Sequence, residues 1–162
     1  AIEAVTQQQP QIKWVNDIFL EGKKVCGILT EGSFNLETGQ LDDVVVGVGF
    51  NVYPPAGGFP PEIAEIADSI LQKQHSGTKN KLAAAFLNFF FQIYREENDY
   101  ASAYRARSMV IGKSIVVSTP TASRNASALD IDRDCRLIVR YEDGSIASLS
   151  SAEVSIRTEG MR

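Results

Sequence analysis

Histidine is almost missing from this sequence: His75 is the single one in 162 residues. It sits in the polar stretch Gln72-Lys73-Gln74-His75-Ser76-Gly77, with no second acid, base or ligand beside it in sequence, so it is assigned no catalytic or metal-binding role. Cysteine is equally scarce. Cys26 and Cys135 are too few for a disulfide framework and too far apart for a zinc site, so both are expected reduced and structural, and no metal site is expected. No apolar run approaches the roughly 20 residues needed to cross a bilayer, and the opening residues lack the charged and apolar regions of a signal peptide. The expectation is a cytoplasmic protein with no membrane partner. Basic residues form no cluster, and 16 Lys and Arg against 20 Asp and Glu leave a net charge of −4, which disfavours nucleic acid as a partner.

What remains is an ordinary globular composition, 44% hydrophobic and 22% charged. The segment from Ala1 to Val5 has a helical pattern with no N-cap before it, as if cut within a helix. Ile12 to Leu20 reads as a strand leading through Glu21-Gly22-Lys23 into a second strand, Lys24 to Phe34, and Asn35 to Gln40 reads as a turn. Asp43 to Val52 is the most apolar strand, and its near-continuous hydrophobicity predicts a central position with both faces covered. Pro54 to Pro61 must be a loop.

Beyond that loop, Ile63, Ile66, Ala67, Ile70 and Leu71 are spaced for one buried face of a helix, with Pro61 in its first turn. A longer helix is predicted from Asn80 to Asn98, its stripe of Leu82, Phe86, Phe89, Phe90, Ile93 and Tyr94 read as core, and a short one from Ala101 to Ser108. After Met109 the texture changes to short strands at 114–119, 127–131, 135–141 and 145–149, with a hairpin at Glu142-Asp143-Gly144-Ser145. Such a stretch fits a small SH3-like β-barrel. The fold class expected is therefore α+β: a mixed or antiparallel sheet with helices over residues 1–109, then an SH3-like domain over 110–162.

Three polar constellations interrupt the strands. Asn16-Asp17 follows Lys13-Trp14-Val15; Lys24 leads into Val25-Cys26-Gly27-Ile28-Leu29; and Gly47-Val48-Gly49-Phe50-Asn51 pairs two glycines with an asparagine. Each has a plain alternative: a turn, a solvated hairpin lysine, relief of crowding. The Gly47-Val48-Gly49 stretch also lacks the third glycine of a dinucleotide-binding turn.

In combination the blocks Lys13-Trp14-Val15-Asn16-Asp17, Gly22-Lys23-Lys24-Val25-Cys26-Gly27-Ile28-Leu29-Thr30-Glu31 and Val46-Gly47-Val48-Gly49-Phe50-Asn51-Val52 resemble the catalytic half of biotin protein ligases, in the same order. The tail from Ile111-Gly112-Lys113 to Glu153-Val154-Ser155-Ile156-Arg157 is similar to that family's SH3-like C-terminal domain. Val15 stands where the family usually has proline, and Ala152 where it often has glycine.

The resemblance implies a two-step reaction with biotin and ATP, Mg2+ accompanying the nucleotide: formation of biotinyl-5′-AMP, then transfer of biotin to a lysine of a biotin carboxyl carrier protein domain. It implies catalytic roles for Lys24, which would hold the biotin carboxylate, and Asp17, which would orient the attacking lysine or the activated carbonyl. Gly27, Ile28 and Leu29 would line the biotin pocket, with Gly47, Val48 and Gly49 as its facing wall. Asn16, Asp17 and Asn51 would meet the nucleotide. The family's Gly-Arg-rich loop precedes the first block, so this chain alone is expected to be inactive, and DNA binding is expected only through an upstream domain. The alternatives are a lipoate-type ligase, or a non-catalytic module that binds the carrier domain or forms a homodimer through a strand edge.

Overall fold

The computed structural model describes residues 1–96, 99–118 and 122–150, and the backbone of 155–158. In chain order the elements are α1 (Ile2–Thr6), β1 (Gln11–Lys13), β2 (Asp17–Leu20), β3 (Lys23–Phe34), β4 (Leu41–Phe50), α2 (Thr78–Arg95), α3 (Tyr100–Ala106), β5 (Ser114–Ser118), β6 (Ser123–Ile131), β7 (Leu137–Tyr141), β8 (Ile146–Leu149) and β9 (Ser155–Thr158). The mixture of few helices with antiparallel sheets is the expected fold class. The chain divides into two compact units, Asn16–Gln74 and Ala1–Val15 with His75–Arg162.

In the unit Asn16–Gln74, β2, β3 and β4 run antiparallel in that order. Glu21 and Gly22 both take positive φ, 49° and 82°, which is the geometry a two-residue hairpin needs to follow strand twist, and they join β2 to β3 where the sequence predicted a turn. Val25 and Cys26 are buried at the root of β3.

Two expectations fail in this unit. The strand over Asp43–Val52 is not central: β4 lies at the end of the β2-β3-β4 order, with Val44, Val45 and Val46 at 49%, 64% and 39% exposure. An apolar run registers a face that is to be covered, and no other described element of this unit covers this one. The helix expected after Pro61 is absent as well. Residues 61–66 form turns with Ile63 and Ile66 exposed, and Ala67 makes an isolated parallel bridge to Lys24. Residues Ile66 to Ile70 instead make backbone hydrogen bonds to Lys24 and Asn51, with Ala67 and Ile70 buried, so this segment forms a strap and not a helix. The i, i+3, i+4 spacing does not distinguish the two.

In the other unit, β5 to β9 form a five-stranded antiparallel sheet ordered β8-β7-β6-β5-β9. Ile115, Val117, Ala128, Ile131, Leu137 and Val139, each at most 2% exposed, make its core. Asp143-Gly144 closes the β7–β8 hairpin as predicted, with Gly144 at φ 82° and the Asp143 carboxylate accepting the Ser145 amide at 2.9 Å. Strand β7 begins at Leu137 because Asp132 to Arg136 form a tight turn, in which the Asp132 carboxylate accepts the amides of Asp134 and Arg136.

Cys135 in that turn carries φ 58°, a left-handed conformation that costs a side-chain-bearing residue about 1–2 kcal/mol. Cys135→Gly removes that strain and pays back part of it in unfolded-state entropy. It should leave the protein as stable or up to about 1 kcal/mol more stable in urea denaturation. A loss of comparable size would show that the thiol packing outweighs the strain.

The segment Ala1–Val15 is bound into the same unit. Ile12 exchanges backbone hydrogen bonds with Arg107 and Met109, the Trp14 indole donates to the Cys135 carbonyl at 2.8 Å, and the Tyr104 hydroxyl donates to the Val15 carbonyl at 2.6 Å. Arg105 joins α3 to β6, donating from Nε and Nη2 to the Ile131 carbonyl at 3.0 and 2.6 Å and pairing with Asp130. Helix α2 buries Leu82 and Thr78 but leaves Phe89, Phe90, Phe91 and Ile93 exposed by 37–49%, so the aromatic stripe expected in the core is open. Glu97 and Asn98, and the Ser151–Val154 portion of the C-terminal match, lie outside the described residues. Among the described residues no helix is long and apolar enough to cross a membrane.

Candidate functional site

Cross-strand register decides which of the singled-out residues meet. Asp17 on β2, Gly27 on β3 and Gly49 on β4 are direct partners in one row, and Leu29 with Gly47 forms the next row but one, so all five share a face of the sheet. Three of them are glycines, and the face is therefore a flat backbone floor bounded by the Asp17 carboxylate at one end and Leu29 at the other.

Lys24 would ordinarily point away from this floor, because it is an odd number of positions from Gly27. A bulge changes that. Ile18 pairs with Cys26 and Phe19 with Lys24, which leaves Val25 without a partner on β2 and turns Lys24 onto the face of Gly27. Its ammonium lies 2.6 Å from Asp17 Oδ1. A Cβ added at Gly27 would stand 3.2 Å from Lys24 Cε and 3.3 Å from Nζ, so glycine there gives the lysine its room.

The Lys24–Asp17 pair is open to solvent, with 43% and 26% of the two side chains exposed. An exposed pair of this kind contributes on the order of 0–1 kcal/mol, so its role in holding the fold is small. An ammonium has three donors, and Asp17 uses one. The remaining two can receive an anion laid on the glycine floor.

Ile28 and Val48 pair with each other on the opposite face, beside the Ile18–Cys26–Phe50 row. The structure therefore does not bring these two side chains to the floor with Gly27, Leu29, Gly47 and Gly49. Asn16 is tied to β3 at its edge: its side-chain amide donates to the Ile28 carbonyl at 2.5 Å and its own carbonyl accepts the Ile28 amide at 3.0 Å. Asn51 lies just past β4, and its amide nitrogen donates to the carbonyl of Asp68 at 3.1 Å and, at the outer limit, of Lys24 at 3.5 Å. Asn51 thus directs both side-chain donors to backbone, and Asn16 one of its two.

Helical spacing in the sequence conceals the strap. Asp68-Ser69 interrupts its apolar spacing, and that interruption was the available signal: Asp68 Oδ1 accepts the Ser69 amide at 2.7 Å and the Gln72 side chain at 3.0 Å.

Cys26 lies under the floor at 2% exposure. Burial pushes its thiol up to about 11; the Lys24 ammonium works against that rise and the Asp17 carboxylate adds to it. The native state therefore holds the thiol proton where the unfolded chain has already lost it. This contribution to stability is complete below the ordinary thiol value near 9 and is lost as pH rises through about 11. A disulfide reagent at pH 8 should modify half-exposed Cys135 first and reach Cys26 only on unfolding; equal rates in the native protein would contradict the burial of Cys26.

Comparison with known proteins bears on this arrangement. Residues 2–51 match the family model described as the Biotin/lipoate A/B protein ligase family, and residues 110–157 match the one described as the Biotin protein ligase C terminal domain. The chain belongs to the biotin protein ligase family. It is 29% identical over 163 residues to the bifunctional ligase/repressor BirA of Bacillus subtilis, with 96% of this chain and 49% of that protein covered. It is 31% identical over 140 residues to the biotin–[acetyl-CoA-carboxylase] ligase of Paracoccus denitrificans, covering 82% of this chain and 58% of that protein. The fold agrees with that of the apo biotin protein ligase of Aquifex aeolicus, at a TM-score of 0.74 and 20% identity over 98% of this chain and 69% of that one. The chain spans about half the length of the Bacillus relatives it matches. All three sequence blocks of the biotin protein ligase resemblance lie on the two hairpins described above or on the residues that enter and leave them.

Proposed function

We propose that the floor of Gly27, Gly47 and Gly49 takes biotin, with Lys24 receiving its carboxylate, in a ligase that activates biotin with ATP and transfers it to a lysine of a carrier protein domain. The observation that carries this reading is the Lys24 ammonium, turned by a bulge onto a glycine floor with two donors to spare. Among the biotin ligase structures similar in fold, one from Aquifex aeolicus is a complex with biotin and ATP.

Chemically, a biotin carboxylate oxygen attacks the α-phosphorus of ATP and the bond to pyrophosphate breaks, giving biotinyl-5′-AMP. The carrier lysine amine then attacks the acyl carbon and AMP leaves. Lys24 gathers the carboxylate and offsets charge developing at the mixed anhydride, which an ammonium does best where water is excluded. Asp17, held against Lys24, keeps the ammonium in place and is placed to orient the incoming amine. Leu29 supplies the apolar edge of the floor. Ile28 and Val48 support it from the opposite face.

Asn16 and Asn51 keep their amide oxygens as acceptors, which suits the amino group of adenine better than a phosphate anion. Mg2+ would arrive on the triphosphate, which supplies its hard oxygen ligands; among the described residues no group of three or more His, Cys, Asp or Glu side chains could hold a metal. We place the reaction in the cytoplasm, consistent with two free cysteines. We infer a catalytic portion at 1–109 and a C-terminal domain at 110–162, a division supported at its second part by the family match over 110–157. The edge of β4 that pairs with no strand among the described residues is the surface on which a homodimer would form. The repressor role in the Bacillus name is not carried over to these residues.

Calorimetric titration with biotin, biotin methyl ester and lipoate tests the reading. Biotin is expected to bind, and the ester, which lacks the anion for Lys24, about a hundredfold more weakly. Equal affinity for acid and ester, or a preference for lipoate, would contradict it.

A further inference from the structure

The bulge that aims Lys24 is an irregularity whose backbone groups β2 cannot pair, and buried backbone donors and acceptors require partners from elsewhere. Those partners come from Asn51 and the strap. The Lys24 amide donates to the Ile66 carbonyl at 2.8 Å, and the Lys24 carbonyl accepts the Asp68 amide at 3.0 Å. The Val25 carbonyl, at the unpaired position, accepts the Asn51 amide at 2.8 Å, and the Asn51 carbonyl accepts the Ile70 amide at 2.7 Å. The Asn51 side chain spans the same seam, donating to the strap at Asp68 and reaching the bulge at Lys24. One residue therefore contacts both residues of the bulge and two residues of the strap that flanks it.

We propose that Asn51 is a positioning residue for Lys24: it locks the bulge at Lys24-Val25 against the strap Ile66 to Ile70, and so keeps the lysine on the glycine floor. The alternative ladder, with Val25 paired and no bulge, would carry Lys24 to the opposite face and away from Asp17. Aspartate is the informative substitution, because it keeps the shape of asparagine while replacing the donor with an acceptor that faces the carbonyls of Asp68 and Lys24. Asparagine is needed here for its donor, and no side chain without one can bridge two carbonyls.

This inference rests on the proposed biotin site for its functional consequence, but its structural content is tested without ligand. In isotopically labelled full chain, the nuclear Overhauser contact between Lys24 Hε and Gly27 Hα reports the lysine over the floor, and the Ile28–Val48 cross-strand contact reports an intact β3–β4 pair. In Asn51→Asp the first should fall at least about threefold while the second persists; on the inverse sixth-power distance dependence of the effect, that is a modest displacement. Biotin affinity should fall about tenfold or more, and no further when Asn51→Asp is added to Lys24→Ala, since a residue acting through the lysine has nothing left to position. Should Asn51→Asp not fold, Asn51→Ser, with a shorter donor, is read in the same way. A retained Lys24–Gly27 contact in the folded variant overturns the proposal. So does an affinity loss that persists in the Lys24→Ala background, which would make Asn51 a direct ligand contact. If the unsubstituted chain binds no biotin, the functional reading fails, and the Lys24–Gly27 contact still decides the role of Asn51.

Discussion

Lys24→Ala is expected to weaken biotin binding by about a hundredfold, the equivalent of roughly 2–3 kcal/mol for a charge-assisted hydrogen bond, while the protein stays folded. The two halves of that expectation have separate causes. Stability is spared because the ion pair with Asp17 is exposed, and removing it forfeits little. Binding is not spared, because the other groups on the floor are glycines, a leucine and a carboxylate of like charge to the ligand. Lys24→Arg is a weaker substitute: its planar fork is wider than an ammonium and must fit where a Gly27 Cβ would already crowd the side chain. Affinity measured by calorimetry together with urea denaturation separates the effects. A stability loss as large as the binding loss would show that Lys24 serves the fold.

Leu137→Ala should cost the most stability of any change discussed, about 2–5 kcal/mol, and should leave biotin affinity per folded molecule unaltered. Leu137 is fully buried and pairs directly with Ile131 on β6 and Leu149 on β8, so its truncation opens a void between three strands of one sheet. Against a total stability of about 5–15 kcal/mol for a domain, that is a large fraction. A urea midpoint lowered with little change in slope would be the signature; a shift worth less than about 1 kcal/mol would mean that the sheet repacks around the gap.

Local signals in the sequence located much of this structure. The turn at Glu21-Gly22, the hairpin at Asp143-Gly144 and strands β5 and β8 are set by residues adjacent to one another and fall where turn chemistry and alternation put them, whereas β6 begins at Ser123 and β7 at Leu137 rather than at 127 and 135, and β9 is not among the predicted strands. What failed was set by partners distant in sequence. Apolar runs at Val44-Val45-Val46 and along α2 mark surfaces suited to burial, and a run carries no information on what buries it. The strap at Ile66 to Ile70 has helical spacing but takes its backbone hydrogen bonds from Lys24 and Asn51, an arrangement that spacing does not encode.

The candidate site divides in the same way. Lys24, Asp17 and the three glycines were identifiable because polar and small residues stood where strand residues should be apolar. Their meeting on one face was not, because the bulge reverses the alternation from which Lys24 would be assigned. Ile28 and Val48 show the converse, being adjacent in the motif to floor residues and yet on the other face.

Backbone amide shift mapping on addition of biotin tests most directly whether the glycine floor is the binding surface. Shifts concentrated at Gly27, Gly47 and Gly49, with a matching change at the Lys24 side chain and none in the β5–β9 sheet, are the predicted result. Shifts centred on that sheet, or saturable biotin binding that leaves the three glycines and Lys24 unmoved, would contradict it.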